Sequence, residues 1–231
     1  MVSRYHNFEN NPCSSDSRDW VSFPSVQRAR NLSNKSVTLL ELKPLTDQHL
    51  PAVLELDQLC FGGLWTLADY QRELDSPNSD LLGLFVPVGL QTLVGFGCLW
   101  AILEEAHITV LAAHPHYRRQ GLGQTLLIAL LQAAFERGLE RATLEVRASN
   151  SSACLLYQQF GFKTAGRRRG YYQDTGEDAL ILWLSGLQHP EFQQTLATWH
   201  REAEQRLTTA GWNLEVNLNL LPPEGYSLTM D

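Results

Sequence analysis

The sequence predicts a mixed α/β sandwich, in which helices cover a central sheet. Short segments with strand-like alternation are flanked by longer segments of helical periodicity, and neighbouring strands form hairpins at both ends of the patterned region. Apolar residues make up 44% of the 231 residues and charged residues 19%, which excludes a disordered chain and allows a sizeable core.

The first half of the patterned region predicts strands and two helices. Pro51 is tolerated only in the first turn of a helix, so the first helix should begin close to it. In chain order we predict a strand at 37–42, helices at 50–61 and 66–74, strands at 80–87 and 92–103 joined by a turn at 88–91, and a strand at 106–113.

The second half predicts two helices that each end at a glycine. Gly138 and Gly161 supply these stops, because glycine readily takes the left-handed conformation that closes a helix. In chain order we predict a helix at 121–137, a strand at 142–147, a helix at 150–160, and strands at 162–168 and 179–184.

Three regions are expected along the chain. Residues 1–36, rich in Ser and Asn, are read as a disordered tail, with a targeting role as the alternative; residues 37–184 form the main domain. Residues 185–231 form a C-terminal helical extension and tail, whose final part, 213–231, adds an edge strand or is loose. One apolar stripe favours a helix docked on the main domain, with a partner-binding helix as the alternative: Phe192, Leu196, Trp199, Ala203 and Leu207.

Charge and cysteine usage exclude several classes of function. The net charge of −7 disfavours broad nucleic-acid binding, and no stretch approaches the roughly 20 apolar residues of a membrane span. The polar beginning argues against a secretory signal peptide. The scattered cysteines form no metal-ligand pattern and suit a reducing compartment, so we expect no metal and a cytoplasmic protein: Cys13, Cys60, Cys98 and Cys154.

A loop that leads into the longest helix predicts a phosphate site. Gly121 and Gly123 stand where the loop becomes the helix, and glycine lets the backbone approach a ligand closely. The first N–H groups of a helix have no internal partner and favour anions, and Arg118 and Arg119 add positive charge. The alternative is a tight turn capped by two surface arginines.

The run Arg118-Arg119-Gln120-Gly121-Leu122-Gly123 resembles the [QR]-x-x-G-x-[GA] signature of the GNAT (Gcn5-related N-acetyltransferase) superfamily. The resemblance implies the GNAT fold, with a mixed, mostly antiparallel sheet, a splayed strand pair and helices on both faces. It also implies acetyl-CoA as cosubstrate, the pyrophosphate on the loop amides and the pantetheine arm on the preceding strand. The implied binding residues are Leu111, Ala112, Ala113, Arg118, Arg119, Gln120, Gly121, Leu122, Gly123, Gln124 and Asn150.

Four further motifs between residues 142 and 182 resemble the RimI-type N-terminal protein acetyltransferases. They are LEVRASN, the tyrosine of LLYQQFGF, the RRxGYY run and GEDAL. The resemblance implies transfer of acetyl to the α-amine of a protein, for example the N-terminal alanine of a ribosomal protein, by direct attack in a ternary complex. It implies a protein or peptide partner and neither nucleic acid nor membrane.

Glu145 and Tyr157 are the candidate catalytic residues. Strand alternation turns Glu145 away from Leu144 and Val146, and the resemblance implies a general base that relieves the protonated amine of its proton, directly or through a water. Tyr157 is the implied general acid for the departing thiolate. The alternatives from pattern alone are a solvated glutamate paired with Arg147 and a buried core tyrosine.

Asn150 begins the helix that carries Tyr157. It is a good N-cap and lies two helical turns before the tyrosine, so both share one face. The resemblance adds a contact between this asparagine and the CoA arm.

Aromatic residues on two loops are the candidate substrate contacts. Tyr171 and Tyr172 are placed in the loop between the last two strands, and Trp65 in the wall between the first two helices. The arginines at 167–169 meet an acidic peptide or are simply solvated. Cys60 is not expected to be a nucleophile, because no histidine is placed to activate it.

Two other functions stay open at the level of sequence. One is a GNAT enzyme that acetylates lysine or a small amine. The other is a non-catalytic acyl-CoA-binding module that uses the helix at 192–207 as its contact surface.

Overall fold

The computed structural model describes residues 37–87 and 92–217. The predicted tail at 1–36, the turn at 88–91 and the end of the chain beyond 217 lie outside these residues. Besides two single-turn 3₁₀ helices, the elements are β1 (Thr38–Pro44), α1 (Leu50–Phe61), α2 (Leu67–Asp75), β2 (Ser79–Val86), β3 (Thr92–Ile102), β4 (Glu105–Ala113), α3 (Leu122–Glu136), β5 (Arg141–Arg147), α4 (Ser151–Gln159), β6 (Lys163–Tyr172), β7 (Glu177–Ser185), α5 (Phe192–Ala210) and β8 (Trp212–Val216).

The strands form one eight-stranded sheet in the order β6-β7-β5-β4-β3-β2-β1-β8. Only the pairs β4–β5 and β1–β8 are parallel, and the other neighbours are antiparallel. The predicted mixed, mostly antiparallel sheet is therefore confirmed. The segment after α5 supplies β8, which covers the free side of β1.

The two central strands, β4 and β5, separate soon after they meet. They pair only through residues 105–107 of β4 and 141–143 of β5. From residue 108 to 113, β4 remains paired with β3 on one side, and no strand of the described part of the chain pairs with it on the other. The splayed pair implied by the family resemblance is present, and the gap exposes main-chain donors and acceptors of β4.

Both faces of the sheet are buried, each by its own set of helices. α1 and α2 cover one face around Tyr70 and Phe96, and α3, α4 and α5 cover the other. Gly95 and Gly97 on β3 let α3 lie close to the sheet: a Cβ at Gly97 would lie 2.9 Å from the Leu130 side chain. None of the described helices combines the length and the apolar character needed to cross a membrane.

The helix α5 packs against α3 through the apolar stripe that the sequence shows. Phe192, Leu196, Ala203 and Leu207 are buried, and Trp199 contacts Phe160 at the end of α4 with 4.9 Å between ring centroids. The docked-helix interpretation agrees with this packing. The division of the chain at residue 185 stays a prediction.

The last hairpin is longer than its sequence suggests. The prediction ended one strand at 168 and left Tyr171 and Tyr172 in a loop, which is wrong: β6 runs on through Tyr172, which pairs with Glu177 of β7. Most side chains of β6 are exposed, so the strand carries no alternation of apolar and polar residues. Its extension was therefore not visible in the pattern.

Candidate active site

The loop before α3 presents a row of main-chain amides. The amide hydrogens of residues 120–124 have no acceptor among the described residues, and Gly121, the N-cap of α3, receives no side-chain cap. Arg119 and Gly121 have φ values of 64° and 103°, and such a left-handed conformation is uncommon for a residue with a side chain. The loop therefore combines free donors with the positive end of a helix dipole.

The C-terminal elements hold this loop in place. Arg206 of α5 donates a hydrogen bond to the carbonyl of Arg119 (3.5 Å), and the indole N–H of Trp212 in β8 donates to the side-chain oxygen of Gln120 (2.8 Å). A Cβ at Gly121 would lie 3.3 Å from Leu207. The sequence predicted the helix but gave no sign that it would contact this loop.

Arg118 takes a different position from the one expected beside a phosphate. Its Nε donates to the carbonyl of Ala113 (3.2 Å), and its guanidinium lies 4.0 Å from Sγ of Cys60. Burial raises the pKa of the Cys60 thiol, which therefore stays protonated at neutral pH and is a poor nucleophile. Arg119 is exposed on the loop.

The start of α4 lies against the start of α3. Asn150 accepts a hydrogen bond from the amide of Ala153 (3.1 Å) and is the N-cap of α4, as its position in the sequence predicts. Gly123 faces Leu156, from which a Cβ would be 3.6 Å away. Gln124 is hydrogen-bonded to Gln159 near the end of α4 (3.3 Å).

Glu145 lies at the mouth of the gap between β4 and β5, with both carboxylate oxygens engaged. His107 Nε2 lies 2.7 Å from Oε2, and Arg168 Nη2 lies 3.1 Å from Oε1. The hydrogen bond from His107, with smaller contributions from both neighbouring charges, lowers the pKa of Glu145 despite its partial burial. Glu145 is therefore ionised at neutral pH. Of the three arginines at 167–169, Arg168 is the one that meets Glu145.

An aromatic wall stands beside His107. The ring of Trp100 lies edge-on to His107 with 6.1 Å between centroids, and Trp65 stacks parallel to Trp100 at 6.0 Å. The fully buried carboxylate of Asp57 accepts the amides of Leu64 (2.9 Å) and Trp65 (3.1 Å) and so fixes the turn between α1 and α2. Trp65 is thereby placed on the same wall as His107.

The three candidate tyrosines lie in two different environments. Tyr157 is buried against Phe162, with 5.7 Å between ring centroids, and burial raises the pKa of its phenol. Tyr172 lies under the guanidinium of Arg147 (3.9 Å), and Tyr171 stands perpendicular to Tyr172 at 5.2 Å. Tyr171 and Tyr172 therefore sit at the end of the hairpin strand.

The partners of Glu145 and the residue that supports Trp65 do not follow from the sequence pattern. His107, Trp100 and Asp57 belong to no motif. The register of β4 shifts at Thr109, so His107 shares its face with Val110 and Ala112, and a plain alternation read from the sequence would have placed it on the wrong face. Its position beside Glu145 depends on the register of β4 and β5, which the sequence pattern does not contain. Among the described residues, no group of His, Cys, Asp or Glu is arranged to hold a metal ion.

Comparison with known proteins identifies the family. The model of the acetyltransferase (GNAT) family matches residues 50–162. The [ribosomal protein bS18]-alanine N-acetyltransferase of Escherichia coli (strain K12) is 43% identical over 145 residues, which cover 62% of this chain and 95% of that protein. The chain belongs to the GNAT acetyltransferase family.

Other GNAT relatives agree. A putative [ribosomal protein bS18]-alanine N-acetyltransferase of Bacillus subtilis (strain 168) is 37% identical over 139 residues, covering 60% of this chain and 90% of that protein. The crystal structure of the ribosomal-protein-S18-alanine N-acetyltransferase from Escherichia coli matches with a TM-score of 0.57 and 32% identity, covering 63% of this chain and 93% of that one. The family resemblance and the enzyme class predicted from the sequence are confirmed, and α5 and β8 lie outside the family match.

Proposed function

We propose that this GNAT protein transfers acetyl from acetyl-CoA to the N-terminal α-amine of a protein. The observation that carries the proposal is the loop of free amides at the head of α3 beside the unpaired edge of β4. The names of the relatives, which describe N-acetyltransferases of a ribosomal protein's alanine, support the same reaction for this chain. A ribosomal substrate would make it a cytoplasmic enzyme.

The described residues fit acetyl-CoA. The amides of residues 120–124 offer several donors to one pyrophosphate, and charge-assisted bonds of this kind contribute about 1.5–3 kcal/mol each. The main chain of Leu111, Ala112 and Ala113 has no strand partner on the side of the gap among the described residues and suits the amide groups of the pantetheine arm, although the Ala113 carbonyl already accepts from Arg118. Asn150 begins the helix that follows β5, the strand on the opposite side of the gap. When bound, acetyl-CoA supplies the activated acetyl group.

Each group around the gap is assigned one step of the reaction. An α-amine with a pKa of about 8 arrives mostly protonated, and its proton passes to the pair formed by Glu145 and His107. A main-chain N–H near Ala112 or Ala113 polarises the acetyl carbonyl. Tyr157 protonates the departing thiolate. Positioning of the two substrates supplies most of the rate.

The substrate peptide is expected to approach from the side of α1 and α2. Trp65 forms one wall of this entrance, and Tyr171 and Tyr172 form the other. The aromatic rings flank the first residues of an extended peptide. An N-terminal alanine is the favoured class of substrate.

The direct test combines a substitution in the loop with a peptide assay. Gly123→Glu places bulk and negative charge among the amides, so we expect the Kd of CoA, measured by isothermal titration, to rise at least about 100-fold, the loss of roughly 3 kcal/mol. Gly123→Ala is the matched control, because a Cβ there makes only an ordinary contact with Leu156. It should bind CoA nearly as well as the unchanged protein.

The substrate class is tested with peptides that differ only in the position of their amine. We expect turnover on a peptide with a free N-terminal alanine and none on the same peptide with a blocked N-terminus and an internal lysine. Unchanged CoA affinity in Gly123→Glu would contradict the cofactor site. Turnover confined to lysine would contradict the substrate.

A further inference from the structure

His107 occupies the last paired position before the central strands separate. It pairs with Thr143 across the short β4–β5 ladder, so both side chains lie on one face of the sheet. Glu145 follows two residues after Thr143 and shares that face, and the 2.7 Å contact between His107 and Glu145 agrees with this register. The imidazole therefore stands where the gap begins, next to the aromatic wall.

The contact with Glu145 fixes which ring nitrogen of His107 carries hydrogen. Glu145 is ionised and can only accept, so Nε2 of a neutral imidazole must donate to it. Nδ1 then keeps a free lone pair, and no hydrogen-bond partner of Nδ1 lies among residues 37–87 and 92–217. Both oxygens of Glu145, by contrast, are already held by His107 and Arg168.

We infer that His107 is the group that takes the proton from the substrate amine, and that Glu145 is a positioning residue that orients the imidazole. The inference rests on the proposed function and assigns the roles within its proton-accepting pair. A proton of the amine moves to Nδ1, the nitrogen lone pair forms the bond to the acetyl carbon, and the carbon–sulfur bond breaks. The thiolate takes its proton from Tyr157, the second proton that the attacking nitrogen loses restores the phenol, and the imidazolium returns its own proton to solvent.

The charges around the imidazole fit this role. Glu145 on β5 stabilises the imidazolium that forms, as the carboxylate does in a catalytic triad. Arg168 on β6 lies on the far oxygen of Glu145 and opposes the charge. Glu73 on α2 is bonded to the indole N–H of Trp100, which lies edge-on to His107. Two carboxylates therefore face this region against one guanidinium.

The test compares His107→Gln with Glu145→Gln over pH 6–9. Glutamine can still donate to Glu145 but cannot take a proton, so kcat/KM of His107→Gln should fall at least about 100-fold at pH 7. The deficit should narrow toward pH 9, because an amine with a pKa of about 8 then loses its proton unaided. In Glu145→Gln, kcat/KM should fall only about tenfold, because the imidazole loses its orienting partner but keeps the nitrogen that accepts the proton.

A control variant and a binding measurement make the result decisive. His200→Gln, on the exposed side of α5, is the control and should match the unchanged protein. Titration with CoA should give the same Kd for all variants. This result would distinguish a loss of proton transfer from a loss of CoA binding. A loss of 100-fold or more in Glu145→Gln with less than threefold in His107→Gln would overturn the inference, as would a deficit in His107→Gln that does not change with pH.

Discussion

Tyr157 is a core side chain to which we also assign a role in the proposed reaction. Its ring packs edge-on against Phe162, and the residue is 7% exposed. Burial disfavours the charged phenolate and so raises the pKa of the phenol above its usual value of 10. The hydroxyl therefore keeps its proton throughout the neutral and mildly alkaline range, which is what a donor to a departing thiolate requires.

Replacement of this hydroxyl is expected to separate chemistry from packing. Tyr157→Phe keeps the ring, so we expect kcat to fall about 10- to 100-fold with little change in the melting temperature or in the Kd of CoA. Because the pKa is raised, activity of the unchanged protein should not decline between pH 9 and 10 through loss of this proton. A kcat within twofold of the unchanged protein would show that the thiolate leaves without this acid.

At the scale of elements, α5 connects the hydrophobic core to the loop before α3. Leu207 is fully buried in the main core and also lies beside Gly121. Arg206, its neighbour in the chain, is bonded to the carbonyl of Arg119. Loss of packing at Leu207 should therefore affect both the stability of the fold and the shape of the loop.

Leu207→Ala tests that connection. Truncation of a fully buried leucine typically costs about 2–5 kcal/mol, and we expect a loss in this range in the free energy of unfolding measured with urea. The Kd of CoA should rise as well, because Gly121 loses its support. Leu59→Ala is the matched control: Leu59 is 53% exposed on α1, and its truncation should change stability by no more than about 0.5 kcal/mol. An unchanged Kd of CoA in Leu207→Ala would show that core packing at Leu207 does not support the loop at Gly121.

Elements with local signals were predicted closely, and those without were not. The helix at 50–61 has its predicted bounds, and α2 begins after the capping box of Thr66 and Asp69. Each of these ends is fixed by residues within one turn. The length of β6 depends instead on its pairing with β7, which local sequence does not encode.

At the scale of the whole molecule, the candidate site combines a local sequence motif with contacts between residues that are distant in the chain. Gly121 and Gly123 lie two positions apart, so their motif could be recognised from the sequence. His107 and Glu145 are 38 positions apart and meet only through the β4–β5 register. Arg206 reaches the loop from 87 positions away. Contacts over such separations follow from topology and not from any periodicity.

Removal of the N-terminal residues should be tolerated, whereas removal of the C-terminal residues should impair the protein. A chain that starts at residue 37 should keep its turnover on a short peptide, because the described sheet and site begin there. A chain that stops at residue 185 should bind CoA weakly and unfold at lower temperature, because it leaves the α3 face open where α5 packed. Turnover assays and thermal melts of the two chains provide the comparison. Equal behaviour of both would contradict the supporting role of α5 and β8.

The contact between Trp212 and Gln120 has a consequence for how the protein is made. A ribosome synthesises the glycine loop long before it adds the tryptophan that steadies it. During that interval the nascent polypeptide contains the complete signature sequence, but its loop lacks the hydrogen bond from Trp212. Capacity to capture the acetyl donor should therefore arise late, when the parallel strand after α5 has emerged and docked beside the first strand of the sheet.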